Sequence, residues 1–184
     1  MRVALTVLCL CFFHIAAFAD DIKMPVKLDS EGFNNVFADA GKVFISGQPT
    51  IEGLKRLKAL GIDTVINLRP SSEMDNRERV PFDEAAALKE LGMRYINIPV
   101  GGNAHPFTPS ALEKFAAAMK HLKGKTLVHC SSARRASHMW TAYLAKHEGM
   151  DINNAIAHGR AINLDTPAFE NLLGTNMGYT YNTP

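Results

Sequence analysis

Thr126-Leu127-Val128-His129-Cys130-Ser131-Ser132-Ala133-Arg134-Arg135-Ala136-Ser137-His138-Met139-Trp140 is the stretch whose reading decides the fold. A short apolar strand runs without a spacer into a cysteine, then into a turn of small residues and two arginines. A helix follows, with Met139, Trp140, Tyr143 and Leu144 on its buried face. A turn between the end of a parallel strand and the start of a helix is where α/β folds place ligands. Backbone N–H groups converge there and the helix field favours anions. The same field, with Arg134 and Arg135 beside it, favours a thiolate at Cys130 and makes it a candidate nucleophile. An arginine folding back over the turn would clamp two oxygens of an oxyanion, and Ser131, Ser132, Ala133 and Arg134 would form the rest of the cradle. A free cysteine is otherwise a small buried hydrophobe; the strand-to-helix position and the two arginines argue for chemistry. His129 either orients the thiolate or holds the turn through hydrogen bonds.

Working outward, strands and helices alternate with short joints. Val36, Phe37, Val43, Phe44 and Ile45 flank an Asp39-Ala40-Gly41-Lys42 turn and read as a hairpin. Thr50 caps a helix with Ile51, Leu54, Leu57 and Leu60 at helical spacing, ended by Gly61. Thr64 to Leu68 is a short buried strand. A charged loop runs from Arg69 to Val80, and Pro81 is expected to start a helix through Ala85, Leu88 and Leu91. Arg94 to Ile98 is a strand, and Thr108 with Pro109 opens a helix carrying Leu112, Phe115, Met119 and Leu122. A last helix covers residues 151–161. This alternation predicts an α/β fold with a mostly parallel central sheet flanked by helices.

Arg2, the apolar run from Val3 to Phe18 and the small residues Ala17 and Ala19 read as a signal peptide over residues 1–19. The expected address is periplasmic or secreted, with no stable membrane insertion after cleavage. Residues 20–35 read as a polar leader, residues 36–164 as one domain, and residues 165–184 as a weakly patterned tail. Twenty Lys and Arg stand against 18 Asp and Glu, a balance that gives no reason to expect nucleic acid as a partner. Of three cysteines, Cys9 and Cys11 lie in the signal and Cys130 remains alone. His138, His147 and His158 lack ligand spacing, so no metal and no cofactor is expected.

The run Leu127 to Arg135, with Trp140 beyond it, resembles the phosphatase-like domain of beta-lactamase-hydrolase-like proteins, a bacterial cysteine-phosphatase-like family. Ser46-Gly47-Gln48-Pro49-Thr50, Val65-Ile66-Asn67-Leu68-Arg69-Pro70 and Gly92-Met93-Arg94-Tyr95-Ile96 resemble the same family in the same order. The resemblance implies a dual-specificity-phosphatase-like fold, with Cys130 as nucleophile, Arg135 as oxyanion clamp, a phosphocysteine intermediate and no metal. Four departures stand out. Four residues separate Cys130 from Arg135 where most cysteine phosphatases have five, a length used by rhodanese-type sulfurtransferases. Ala133 stands where the family usually has glycine, so its Cβ is expected to hinder a positive φ, and Ala136 replaces a serine. The loop Gly101-Gly102-Asn103-Ala104-His105, where an aspartic acid would donate the proton, has no carboxylate.

His105 is one candidate acid if it points inward, and a surface histidine if it does not. Asp75, Glu73 and Glu78 are alternatives on the charged loop, whose charges otherwise form a solvated face. Arg69 either adds positive potential to the site or pairs with a carboxylate of its own loop. The expected substrate is a phosphorylated or sulfur-containing anion. Three functions follow: phosphoester hydrolysis, sulfur transfer through the same cysteine, and oxyanion binding without turnover.

Overall fold

A computed structural model of the chain describes residues 22–178; the signal-peptide expectation and the end of the tail lie outside them. The elements in chain order are β1 (Ile22–Lys27), β2 (Phe37–Gly41), β3 (Val43–Ser46), α1 (Ile51–Ala59), β4 (Ile62–Asn67), α2 (Ser71–Met74), α3 (Glu84–Glu90), β5 (Arg94–Asn97), α4 (Pro109–Lys120), β6 (Lys125–His129), α5 (Arg134–Lys146), α6 (Ile152–Ile162) and α7 (Phe169–Leu173). The six strands form one sheet in the order β1-β2-β3-β6-β4-β5. β3, β6, β4 and β5 are parallel to their neighbours, while β1 and β2 add antiparallel pairings at one edge. This is the α/β architecture that the alternation predicted.

The parallel strands are short continuous apolar runs because both faces of the sheet are covered. Side chains alternate between the faces. Ile45, Ile66 and Val128 pack with Phe115 of α4, Trp140 of α5, Ile156 of α6 and Phe169 of α7. Phe44, Val65 and Leu127 pack on the other face with Leu54 and Leu57 of α1 and Leu88 of α3. Extending that alternation one residue further turns His129 toward the α1–α3 face and Cys130 toward the α5 face. The register also lines up Ser46, His129, Asn67 and Asn97 in one row at the C-terminal ends of the four parallel strands. The connections that leave this row all reach the same edge.

The structure adds elements at two places that the sequence left open and differs from expectation at the helix after Pro81. The segment read as a leader supplies β1, an edge strand bonded to β2, with Phe33 buried beside α1. Pro25 in that strand has no N–H to offer an outside strand. The tail supplies α7, with Phe169 and Leu172 buried against α4 and α5. The helix expected from Pro81 begins at Glu84 because the Asp83 side chain accepts from Ala86 N at 3.0 Å and sets the cap there. The charged loop contains the single turn α2. No helix among the described residues is long and apolar enough to cross a membrane.

α5 and α6 cross closely at Gly159, where a Cβ would lie 2.1 Å from Thr141 Oγ1 and 3.0 Å from Leu164 Cδ2. Helix propensity alone favours alanine over glycine by about 1 kcal/mol. The buried crowding reverses that sign, and Gly159→Ala is expected to destabilise the fold by about 1–3 kcal/mol in chemical denaturation. A higher midpoint for the variant would refute the close crossing.

Candidate active site

The Cys130–Arg135 turn joins β6 to α5. Cys130 is 1% exposed and packs among Val128, Ala133 and Ala136, so its sulfur sits at the base of the turn. Ala133 is the N-cap of α5 and adopts the left-handed conformation with φ 65°. The hindrance expected from its Cβ does not keep Ala133 out of a positive φ. Its methyl is fully buried in the core, and Ser137 N donates to Ala133 O at 2.8 Å, while Ser137 Oγ donates to Arg134 O at 2.7 Å. These contacts offset a strain of about 1–2 kcal/mol.

The carbonyls of the turn are tied outward. Ser131 O accepts from Asn34 Nδ2 at 2.8 Å and Gln48 N at 3.0 Å. Ser132 O accepts from Asn163 Nδ2 at 2.7 Å and Asn35 Nδ2 at 3.5 Å. Apart from the isolated antiparallel bridge that pairs Ser132 with Gly47, the N–H groups from Ser131 to Ala136 make no hydrogen bond to the protein among the described residues. A helix start with unpaired donors is a ready site for an anion.

Arg135, the last residue of the turn, is 16% exposed. Its Nη1 donates to Val100 O at 3.0 Å and its Nη2 to Glu73 Oε2 at 2.7 Å. Gly101 sits against it: a Cβ there would be 3.1 Å from Arg135 Cδ, and its φ of 119° belongs to glycine. Glu73 Oε2 also accepts from Arg69 Nε at 2.9 Å. Of the two readings of Arg69, the structure selects the ion pair with its own loop, because the guanidinium is 3% exposed and its Nη1 donates to Gln48 Oε1 at 2.6 Å.

The hydrogen-bonded chain continues inward. Gln48 Nε2 donates to Glu84 Oε2. Glu84 Oε1 meets His129 Nε2 at 2.9 Å and accepts from Asn67 Nδ2 at 3.1 Å. Asn67 Oδ1 accepts from Arg69 N at 2.7 Å, and Asn97 Nδ2 donates to Arg69 O at 2.9 Å. His129 is fully buried on this face. It holds the base of the turn and is directed away from the sulfur by the strand alternation.

Burial works to raise the carboxyl pKa values of Glu84 and Glu73, but the partners more than offset it. His129, Gln48 and Asn67 hold Glu84 below the ordinary glutamate range, and Arg135 and Arg69 do the same for Glu73. Both are therefore carboxylates at neutral pH. Burial and the Glu84 charge push the Tyr95 hydroxyl up to about 12. Burial pushes His138 on α5 down to about 4, so it is neutral.

The remaining expected residues lie elsewhere. Arg134 is half exposed and pairs with Asp165 at 2.5 Å, so its side chain leaves the cradle and only its N–H stays there. His105 O accepts from Gly101 N at 2.5 Å. The His105 side chain lines a cleft of about 370 Å³ with Asn97, Thr108 and Lys114, and no residue of the 130–135 turn shares that lining. Asp75 is exposed at the end of α2. Among the described residues, no group of three His, Cys, Asp or Glu side chains is arranged to hold a metal ion.

Sequence reasoning missed Glu84, the carbonyl-tying roles of Asn34, Asn35 and Asn163, and the linking role of Gln48. Gln48 and Asn67 do lie inside two of the stretches that carried the family resemblance. Glu84 had only a weak signal, an acid in the first turn of a helix where the dipole favours one.

The model of the phosphatase-like domain of beta-lactamase hydrolase-like protein matches residues 39–146. The chain belongs to this family. A beta-lactamase hydrolase-like protein of Xylella fastidiosa (strain Temecula1 / ATCC 700964) is 34% identical over 95 residues, which are 52% of this chain and 21% of that protein. The match thus spans about a fifth of the curated relative's length. A crystal structure of a Shewanella putrefaciens CN-32 protein of the DUF442 group aligns with TM-score 0.61 and 30% identity over 78% of this chain and 91% of that one. P. aeruginosa TpbA shares the fold at TM-score 0.59 and 18% identity, over 83% of this chain and 91% of its own. PTPMT1 shares it at 0.55 and 23%, over 71% and 86%. The phosphatase-like domain therefore has a tyrosine-phosphatase-type α/β fold.

Two outcomes follow for stability. Ala133→Gly relieves the positive φ but removes the buried methyl and adds chain entropy to the unfolded state, so it is expected to leave stability unchanged or lower it by up to about 1 kcal/mol, read as a shift in denaturant midpoint. The lowered pKa of Glu73 contributes stability above the ordinary glutamate range, which is lost as pH falls through the depressed value. Glu73→Gln should therefore flatten the decline in unfolding free energy on acidification. An unchanged acid slope would refute the two-arginine link.

Proposed function

We propose that the phosphatase-like domain hydrolyses phosphoesters with Cys130 as nucleophile and Arg135 as the clamp on the transferred phosphoryl group. The observation that carries this reading is the turn itself: a cysteine at a strand end, the carbonyls of Ser131 and Ser132 held outward so that the following N–H groups point the other way, and an arginine at its last position. The Cys130 sulfur attacks phosphorus, an S–P bond forms, and the P–O ester bond breaks as the leaving oxygen takes its electron pair. Water then attacks phosphorus, the S–P bond breaks, and orthophosphate leaves as the thiolate is restored. The N–H groups and Arg135 stabilise the charge on the equatorial oxygens. The residues from His129 to Arg69 keep the turn and the clamp in register. Ser131 and Ser132 contribute through their backbone.

The 101–105 loop has no carboxylate and His105 faces another cleft. A leaving group that departs without protonation is accordingly the appropriate probe, and an aryl phosphate supplies a phenolate. TpbA has been solved in complex with pTyr, which makes an aromatic ester a reasonable starting point. The same missing acid, with the four-residue spacing from Cys130 to Arg135, favours a second reading: sulfur transfer through a Cys130 persulfide, which needs no protonated leaving group. The signal-like residues 1–19 support work in the periplasm or outside the cell.

The test is a paired assay of phosphate release from an aryl phosphate and of thiocyanate formation from thiosulfate and cyanide. Cys130→Ser is expected to bring phosphate release to the uncatalysed level. Arg135→Lys, which removes the planar two-point contact, should raise KM by about tenfold or more. Thiocyanate formation without phosphate release would replace the first reading by the second. Anion binding with neither activity would leave a binding module.

A further inference from the structure

A six-residue turn binds an anion only if its peptides present N–H, and not C=O, to the centre. In a trans peptide the carbonyl and the following N–H point in opposite directions, so whatever fixes one fixes the other. The carbonyl of Ser131 is held by Asn34 Nδ2 and Gln48 N, and that of Ser132 by Asn163 Nδ2 and Asn35 Nδ2. Those four bonds direct the N–H groups of Ser132 and Ala133 to the opposite side.

The donors converge from remote parts of the chain. Asn34 and Asn35 precede β2, and Asn163 follows α6. Asn35 adopts φ 72°, a conformation asparagine tolerates better than most residues. The segment presses hard on the turn: a Cβ at Gly47 would lie 1.7 Å from Asn34 O and 3.0 Å from Ser131 O. An amide suits the task because it donates without bringing charge, whereas a carboxylate in its place would face a carbonyl and favour rotation of the peptide.

Resting on the reading of this turn as an anion site, we infer that Asn34, Asn35 and Asn163 are positioning residues that set its oxyanion affinity by holding the Ser131 and Ser132 carbonyls outward. They act from outside the cradle and touch no substrate. Asn34 and Asn35 are exposed and none of the three belongs to the apolar core, so replacing them leaves the packed interior intact.

The test measures binding of inorganic phosphate by calorimetry to the full chain carrying Cys130→Ser, where turnover does not enter. Adding Asn163→Asp is expected to weaken phosphate about tenfold, and Asn34→Asp with it further still, while the thermal midpoint stays close to that of the parent. As pH falls through the carboxyl range the aspartic acid regains a donor, so the affinity ratio to the parent should narrow. With Asn163→Ala it should not. If Asn163→Asp fails to fold, Asn163→Ala removes the donor without adding charge and tests the same loss. Equal phosphate affinity in parent and variants would overturn the inference while leaving the phosphatase reading standing. No phosphate binding by the parent would overturn both.

Discussion

Hydrogen-bond register between β6 and its two parallel neighbours governs the rest of the molecule. With Ser46 and Asn67 both level with His129, three connections leave the sheet from one row. The two-residue side-chain period then does the sorting. His129 falls on the α1–α3 face, where Glu84 meets it, and Cys130 falls on the face that α5 covers. A slip of one residue would exchange them, placing the sulfur against a buried carboxylate and the imidazole in the apolar core. The buried runs of Leu127-Val128, Val65-Ile66 and Phe44-Ile45 hold that register by filling both cores at once.

A chain of polar groups secures the C-terminal edge of the parallel strands where apolar packing ends. It runs from His129 through Glu84, Gln48, Arg69 and Glu73 to Arg135, and so ties the residue before Cys130 to the arginine that closes the turn. Such a chain is stable because its members satisfy one another. Removing any single member would leave a buried donor, acceptor or charge exposed to a low-dielectric surround. The consequence is geometric more than energetic: the two ends of a six-residue turn are fixed by the same set of bonds.

The fold was legible in the sequence because its determinants are local. Apolar strand runs, Thr50 and Thr108 as caps, Pro109 at a helix start and the cysteine at a strand end can each be read within a few residues. The turn Cys130 to Arg135 was legible for the same reason. What escaped reading depends on distance along the chain. Glu84 looks like a surface acid until α3 places it against β6, and Asn163 looks like a helix end until it reaches Ser132. Arg134 and Arg135 are equivalent on paper, and only the position of Asp165 on one side and Glu73 on the other separates them. Ala133 shows the converse: a local rule against positive φ was outweighed by a buried methyl contact and the capping bonds around it.

Helix α5 has nine consecutive buried residues, from Ala136 to Leu144, so it is packed on all sides and not along one stripe. A helix so enclosed cannot slide or tilt without repacking both neighbours, and interiors at crystal-like density resist that. The turn from Cys130 leads directly into the first turn of that helix and inherits its rigidity. Room for adjustment is thereby confined to the rim, where Gly101 and Gly102 carry the chain past Arg135 with positive φ and little side-chain bulk. The turn is thus built as a fixed template, and conformational freedom beside it resides in a separate, softer segment.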